Sequence, residues 1–385
     1  MKPRLIKRIL IVSTAHGYGG AERSMELFAP ELAKTVSVVV LTGNERHRRN
    51  LLAGAKRTGV GRRLRIWSLP FDEGRRGTAM SVIRYALARM WLRPDMILTN
   101  TERSAWVVAW AARILPGQGR ATWMYVRDFM WKDLPGILRL LPHAGILVPG
   151  PALLEKKGYL DPWVEPRTSR RVRVAPCMVV RQNSDGATPL SGVYALHLAA
   201  VNPWKGHAHL IRAAELLKQD GRGVRVRSRG VTDHADLRRL LGRQIAAAGL
   251  MDDAGFEMLE HVEDPTEELR GCFCVVVASV SHSGGPETFG RTVIEAWSHG
   301  KPVVAFAAGG VRHLIEHEHD GLLVEEGDER GLAEALWRLR SNPEFAACLG
   351  ARGREKVLRD YELEVAVGRL WEVLTESNAK RANAG

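Results

Sequence analysis

Two glutamates, Glu287 and Glu295, stand where an apolar run (CVVVAS) passes into a glycine-bearing loop and then into a helical pattern beginning near Thr288. Backbone N–H groups of Thr288, Phe289 and Gly290 would lie at the start of that helix. Such amides, with the positive end of the helix dipole, favour a phosphate. Gly284, Gly285 and Gly290 would let the backbone approach a ligand closely. A second phosphate-directed residue is Lys205 in AAVNPWKGHAHLIRAAELL, which follows a strand pattern and opens a helix. A lysine so placed can reach a diphosphate as a point charge. Alone, a Glu-x7-Glu pair is weak, because a solvated helix with two ordinary carboxylates has the same spacing.

The elements around these residues alternate. Strand patterns fall at 8–13, 36–41, 64–68, 95–99, 121–126 and 144–148, then at 193–199, 223–227, 255–259, 273–279, 302–306 and 321–324. Helical patterns lie between several of them, including 21–34, 78–92, 102–114, 205–219, 233–249, 288–299, 310–318, 328–340, 343–360 and 362–376. Strands separated by helices imply βαβ units and parallel sheets. A chain of 385 residues exceeds what one core usually supports, so two domains are expected. The turn-rich stretch 180–192 reads as the linker. Cys272 and Cys274 sit in an apolar run without zinc-site spacing and read as buried thiols, and a low cysteine count suits a reducing compartment. The apolar stretch after the basic N-terminus is about seven residues and reads as a first strand rather than a signal peptide. No segment approaches the roughly 20 apolar residues of a membrane span.

The run 279–328 is more specific than its two glutamates. It reads E287-T-F-G-R-T-V-I-E295-A, then G300-K-P-V-V-A, G309-G310, D320-G-L-L-V and G327-D328. This ordered series resembles the retaining glycosyltransferases of family 4, the group 1 glycosyl transferases. The resemblance implies an α/β protein with two Rossmann-like domains facing a cleft, the GT-B architecture. It implies an acceptor-binding domain over 1–180 and a nucleotide-sugar-binding domain over 181–360. Over 361–385 it implies a helix packing back on the first domain, then a disordered tail. By the same resemblance Glu287 contacts donor sugar hydroxyls and Glu295 the ribose. Glu287 and Lys205 are the expected catalytic residues. Gly19, Gly20, Arg229, Thr288, Phe289, Gly290, Arg291 and Glu295 are the expected donor-binding residues.

The sequence departs from the family pattern in places. Ala200 stands where an arginine usually joins the lysine in clamping the diphosphate, and Arg229 is either its substitute or a surface arginine. Arg127-Asp128 stands where a histidine is common, Cys177 where an asparagine is, and His313 where a glutamate is. His282 and His313 read as surface or satisfied histidines. Gly19-Gly20-Ala21-Glu22 resembles the family's first loop and helix; a tight βα turn is the plain alternative.

Charge is unevenly placed. The net charge is +13, yet residues 1–180 hold 31 lysines and arginines against 13 acidic residues. Residues 45–65 alone carry eight basic residues and one glutamate, with Leu51, Leu52, Ala53 and Ala55 interleaved. The cluster reads either as an element at an anionic membrane surface or as a solvated face. No nucleic-acid-binding module is visible.

The implied reaction moves a sugar from a nucleoside-diphosphate sugar, UDP-sugar in preference to GDP-mannose, to a lipid-linked or saccharide acceptor in cell-envelope or polysaccharide biosynthesis. No Asp-x-Asp motif occurs in a suitable loop, so neither metal nor other cofactor is expected. The expected location is cytoplasmic, at the inner face of a membrane if the basic half docks there. Alternatives are a nucleotide-sugar epimerase on the same scaffold, a phosphorylase, whose pyridoxal-phosphate lysine context and greater length are not seen, and a catalytically degenerate nucleotide-sugar-binding scaffold.

Overall fold

The computed structural model describes residues 6–14, 19–69, 74–115, 122–129, 131–155, 172–182, 192–232, 234–251, 255–282 and 285–382. Two compact units divide the chain, Met1–Met178 with Leu363–Gly385, and Val179–Glu362.

In the first unit the strands are β1 (Arg8–Ser13), β2 (Ser37–Thr42), β3 (Leu64–Ser68), β4 (Met96–Thr99), β5 (Thr122–Tyr125), β6 (Gly145–Val148) and β7 (Val172–Val174). They form one sheet in the order β3-β2-β1-β4-β5-β6-β7, with every pairing parallel. Parallel strands covered on both faces need near-continuous apolar runs, and RILIVS and SVVVLT supply them. Along β1, Leu10 and Val12 face a core shared with helices Gly74–Leu92, Glu102–Ala112 and Leu134–Leu140. Ile9 and Ile11 face the opposite core, with helices Gly20–Leu32, Glu45–Arg57 and Leu363–Ala382.

The second unit repeats the plan. Its strands are β8 (Tyr194–Leu198), β9 (Arg225–Arg229), β10 (Phe256–Leu259), β11 (Cys272–Val277), β12 (Val303–Phe306) and β13 (Leu322–Val324). The order is β10-β9-β8-β11-β12-β13, again parallel throughout. In both sheets the strand order reverses beside the first strand. In open α/β sheets, ligands bind outside the carboxyl ends of the strands at that reversal. In the second unit it lies between β8 and β11.

Three local features differ from the sequence reading. Strand β7, three residues long and largely exposed, is too short to show a period. The helix expected over 310–318 is one turn, Val311–Leu314, and Ile315 is already extended. The helix expected near Thr288 begins at Arg291. Most of the expected linker, 183–191, and the end of the expected tail, 383–385, lie outside the described residues, as does Gly284. No helix among the described residues is long and apolar enough to cross a membrane.

Cys272 and Cys274 are fully buried on β11, and burial pushes the Cys272 thiol up to about 12. Cys348 is exposed. In the folded protein a thiol reagent should therefore modify Cys348 quickly and leave Cys272 and Cys274 untouched until denaturant is added. Mass mapping of the modified peptides checks this, and rapid labelling of Cys272 would contradict it.

Candidate active site

Lys205 ends a short 3-10 turn, Pro203–Lys205, just after β8. The next residue, Gly206, is left-handed (φ 73°) and starts helix His207–Gln219. A Cβ on Gly206 would lie 1.8 Å from the Ala278 carbonyl oxygen, so only glycine lets the Lys205 turn rest against the end of β11. The Val280 amide donates to the Trp204 carbonyl at 2.9 Å and ties the same two chain segments together. The Lys205 ammonium lies 3.9 Å from the centre of the Trp204 ring. It also forms an ion pair with the Glu287 carboxylate. Both side chains keep some exposure, 17% for Lys205 and 23% for Glu287, so a ligand can reach them. The two residues assigned to catalysis thus meet at the reversal point of the second sheet.

The loop carrying Glu287 is held from below by a glycine pair. The Gly310 amide donates to the Glu287 carbonyl at 2.6 Å. Gly309 and Gly310 press so closely on Glu287 and Thr288 that a Cβ at either would meet a backbone oxygen within 2.3 Å. The G-G of the sequence motif is therefore a platform under the loop.

Helix Arg291–Ser298 follows Gly290, which caps it at φ 102°. That backbone is left-handed, which places Gly290 outside the helix. Phe289 turns inward, is buried, and meets Tyr361 edge-on at 5.6 Å. Thr288, Phe289 and Gly290 are consequently loop residues, and the first-turn amides begin at Arg291 rather than at Thr288. Glu295 accepts from Arg291 Nε at 2.7 Å, with both side chains 18% exposed.

Ala200 follows β8 without a cation. Arg229 ends the neighbouring β9, in register with Leu198. Its guanidinium is held by Glu268 at 2.6 Å and by the Glu260 carbonyl at 3.1 Å. Glu268 also takes Arg227 at 3.1 Å and Tyr194 Oη at 2.9 Å. Burial pushes the Glu268 carboxyl up, but these hydrogen bonds and charges outweigh it and hold it low. Arg229 would have to exchange Glu268 for phosphate to serve as a clamp.

The family model for glycosyl transferases group 1 matches residues 183–356, the stretch that contains both halves of this site. Residues 183–356 form a group 1 glycosyltransferase domain. The chain is 23% identical over 280 residues to a trehalose synthase of Pyrococcus horikoshii, covering 71% of this chain and 64% of that protein. It is 34% identical over 95 residues to the lipopolysaccharide core biosynthesis glycosyltransferase LpsD of Rhizobium meliloti, covering 25% of this chain and 28% of that one. The chain thus spans less than two thirds of either relative's length. HepE of Anabaena, solved with UDP and glucose, superposes with a TM-score of 0.78 at 20% identity, over 96% of this chain and 100% of its own. The likeness shows the fold: two Rossmann-like units of the GT-B class.

Within the group 1 domain one feature was not legible in advance. His197 on β8 and His207 after Gly206 are buried edge to face, 4.6 Å apart. His197 Nδ1 meets Ser228 Oγ at 3.1 Å, whereas neither ring nitrogen of His207 has a partner among the described residues. Burial, with Lys205 close by, lowers His207 to about 4. Burial also lowers His197, with the His207 and Lys205 charges adding to it. Both rings are neutral in the fold, whereas the unfolded chain takes up protons below its ordinary histidine pKa of about 6.5. Their contribution is fully present above that pH and is lost as pH falls towards 4. For His207 the loss is on the order of 3 kcal/mol. Urea midpoints from pH 7 to 4.5 should fall, and less steeply for His207→Leu. Parallel slopes for the two proteins would refute the assignment.

A triad outside the site, Glu316, His319 and Asp320, has metal-ligand spacing. The Asp320 carboxylate is already occupied by Lys356 Nζ at 2.7 Å and the Glu316 amide at 2.8 Å. An ammonium therefore stands where a cation would bind. The aspartate of the D-G-L-L-V motif serves packing, as its carbonyl also accepts from Trp297 Nε1 at 2.9 Å. His313 is exposed and accepts from Arg312 Nε at 3.2 Å, and His282 is exposed.

In the first unit Gly19 and Gly20 follow β1 and lead into helix Gly20–Leu32. The Gly19 amide donates to Glu22 Oε2 at 3.0 Å, so the glutamate of G-G-A-E caps its own helix. Glu22 is buried, and burial raises its carboxyl. Arg127 is buried with its guanidinium 3.6 Å from the Tyr125 ring centre, and its charge acts on Glu22, whereas Asp128 is exposed. Cys177 is buried.

Proposed function

We propose that this chain is a retaining glycosyltransferase that moves a sugar from a nucleoside-diphosphate sugar, UDP-sugar in preference to GDP-mannose, to a hydroxyl of a lipid-linked or saccharide acceptor. The pairing of Lys205 with Glu287 at the strand-order reversal of a group 1 domain carries this reading. Lys205 and the amides from Arg291 onward would face the diphosphate as it gains charge on leaving, an electrostatic form of catalysis. Glu287 would hold the sugar hydroxyls and Glu295 the ribose. Gly19 and Gly20 are further proposed donor-binding residues. The bond from the anomeric carbon to the diphosphate oxygen breaks, the bond to the acceptor oxygen forms on the same face, and a leaving phosphate oxygen takes the acceptor proton. No metal or other cofactor is needed in this scheme.

The UDP bound by HepE and the lipopolysaccharide core biosynthesis in the name of LpsD support UDP as donor nucleotide and cell-envelope or polysaccharide biosynthesis as the setting. The excess of basic residues in the first unit supports work at the inner, anionic face of a membrane.

The absent clamp arginine at Ala200 favours a second reading, a nucleotide-sugar-binding scaffold without turnover. Thermal-shift measurement against UDP-, GDP- and ADP-sugars, followed by a UDP-release assay with acceptor lipids, separates the two. A UDP-sugar at 100 times its Kd should stabilise the fold by about 2.7 kcal/mol. A shift without release supports the scaffold, and no shift with any donor refutes both. Adding EDTA should leave transfer within about twofold, because Lys205 supplies the charge a metal otherwise would; abolition of transfer would overturn metal independence.

A further inference from the structure

Helix Gly74–Leu92 exposes Arg76 near its start and keeps Arg84 and Arg89 half-buried, but its other described exposed positions are apolar. Its inward residues Val82, Tyr85, Ala88 and Leu92 fill one core of the first unit. From 79 to 91 every exposed residue is also apolar: Ala79, Met80, Ile83, Leu87, Met90 and Trp91. Leu87 is 57% exposed and Trp91 68%. A helix whose exposed positions are this apolar is ordinarily buried or in contact with lipid. The neighbouring helix Glu102–Ala112, which packs against it, ends in the same way, with Trp110 43% and Ile114 68% exposed. Trp91 leans on Trp67 at 5.1 Å, and Arg113 lies over Trp110 at 5.6 Å. Between Gly74 and Pro94 there are five arginines and no acidic residue.

The geometry points to this face as the part of the protein that enters the interface of an anionic bilayer. Tryptophans sit at headgroup depth, aliphatic side chains reach the acyl boundary, and arginines meet the lipid phosphates. The absence of carboxylates makes the charge complementary to such a surface and not to a second copy of the same face. The basic helix Glu45–Arg57 lacks this combination. It turns Leu51 and Ala55 into the opposite core, pairs Arg48 with Glu45 at 2.8 Å, and exposes one large apolar side chain, Leu52. Its outer face is a solvated basic surface. The inference locates the bilayer contact of the proposed function but not its chemistry. Vesicle binding is read without any sugar transfer, so failure here leaves the transferase reading untouched.

The test is co-sedimentation of the full chain with phosphatidylglycerol/phosphatidylcholine vesicles and with phosphatidylcholine alone. Ile83→Gln/Leu87→Gln/Met90→Gln should lower the partition coefficient on anionic vesicles by at least about tenfold, with circular dichroism and Tm unchanged. Arg46→Gln/Arg49→Gln should change it by less than about threefold. Brominated lipid should quench wild-type tryptophan fluorescence, and Trp91→Phe should reduce that quenching. Unchanged binding of the triple variant overturns the proposal. So does the absence of quenching in the wild type, or loss of binding in the Arg46/Arg49 variant alone. A concentration-dependent dimer without lipid, abolished by the triple variant, would instead assign the face to a second copy.

Discussion

Glu287→Ala is expected to lower kcat on the order of 10³-fold while the protein stays folded. The carboxylate lies in a loop held by backbone contacts from Gly309 and Gly310, so its removal leaves the scaffold in place. Its partner in the free protein is Lys205, which would be left with the Trp204 ring and solvent. Lys205→Ala should cost about as much in kcat, because it removes the charge facing the leaving diphosphate. Residues that act as a unit are strongly non-additive, so the double variant should be little worse than either single one. Glu287→Gln separates shape from charge and should remain far below wild type. Steady-state sugar transfer with Tm measured in parallel is the check, and undiminished turnover in Glu287→Ala would sink the site assignment.

Gly206→Ala should destabilise the second unit by more than about 3 kcal/mol and abolish transfer as well. Two costs combine there. A left-handed backbone with a Cβ costs about 1–2 kcal/mol. That Cβ also collides with the Ala278 carbonyl oxygen, a backbone atom that cannot move without distorting the end of β11. Gly221 provides the control, since it is left-handed (φ 69°) and no atom of the described residues lies within 4 Å of where its Cβ would stand. Gly221→Ala should cost only about 1–2 kcal/mol and leave activity intact. Urea unfolding of both variants measures the difference. Equal losses would mean that crowding against Ala278 is not what demands glycine at 206.

Much of the architecture was legible because the sheets are parallel and buried on both faces. The run RILIVS at 8–13 and the run at 64–68 coincide with β1 and β3, and the helical pattern at 343–360 coincides with Pro343–Asp360. Where the signal was short it failed. Three-residue β7 shows no period, and the helix expected over 310–318 breaks at Ile315. At 288–290 the composition resembles a helix start, but burial of Phe289 against Tyr361 and the left-handed Gly290 keep the chain in a loop until Arg291.

The alternation of strand and helix patterns was enough to select a parallel α/β fold, and the stretches 279–328 and 199–217 were enough to single out Glu287, Glu295 and Lys205. Spacing along one chain encodes helix starts, glycine turns and apolar periods, all of which are local. That Lys205 and Glu287 meet, although 82 positions apart, depends on the β8–β11 neighbourhood and on the contact of Gly206 with Ala278. The commitment of Arg229 to Glu268 is likewise a contact between β9 and a later helix. The apolar outer face of Gly74–Leu92 shows the same limit. Its composition was visible in the chain, but which of its apolar residues fill the core and which meet solvent is decided only when the helix packs on the sheet.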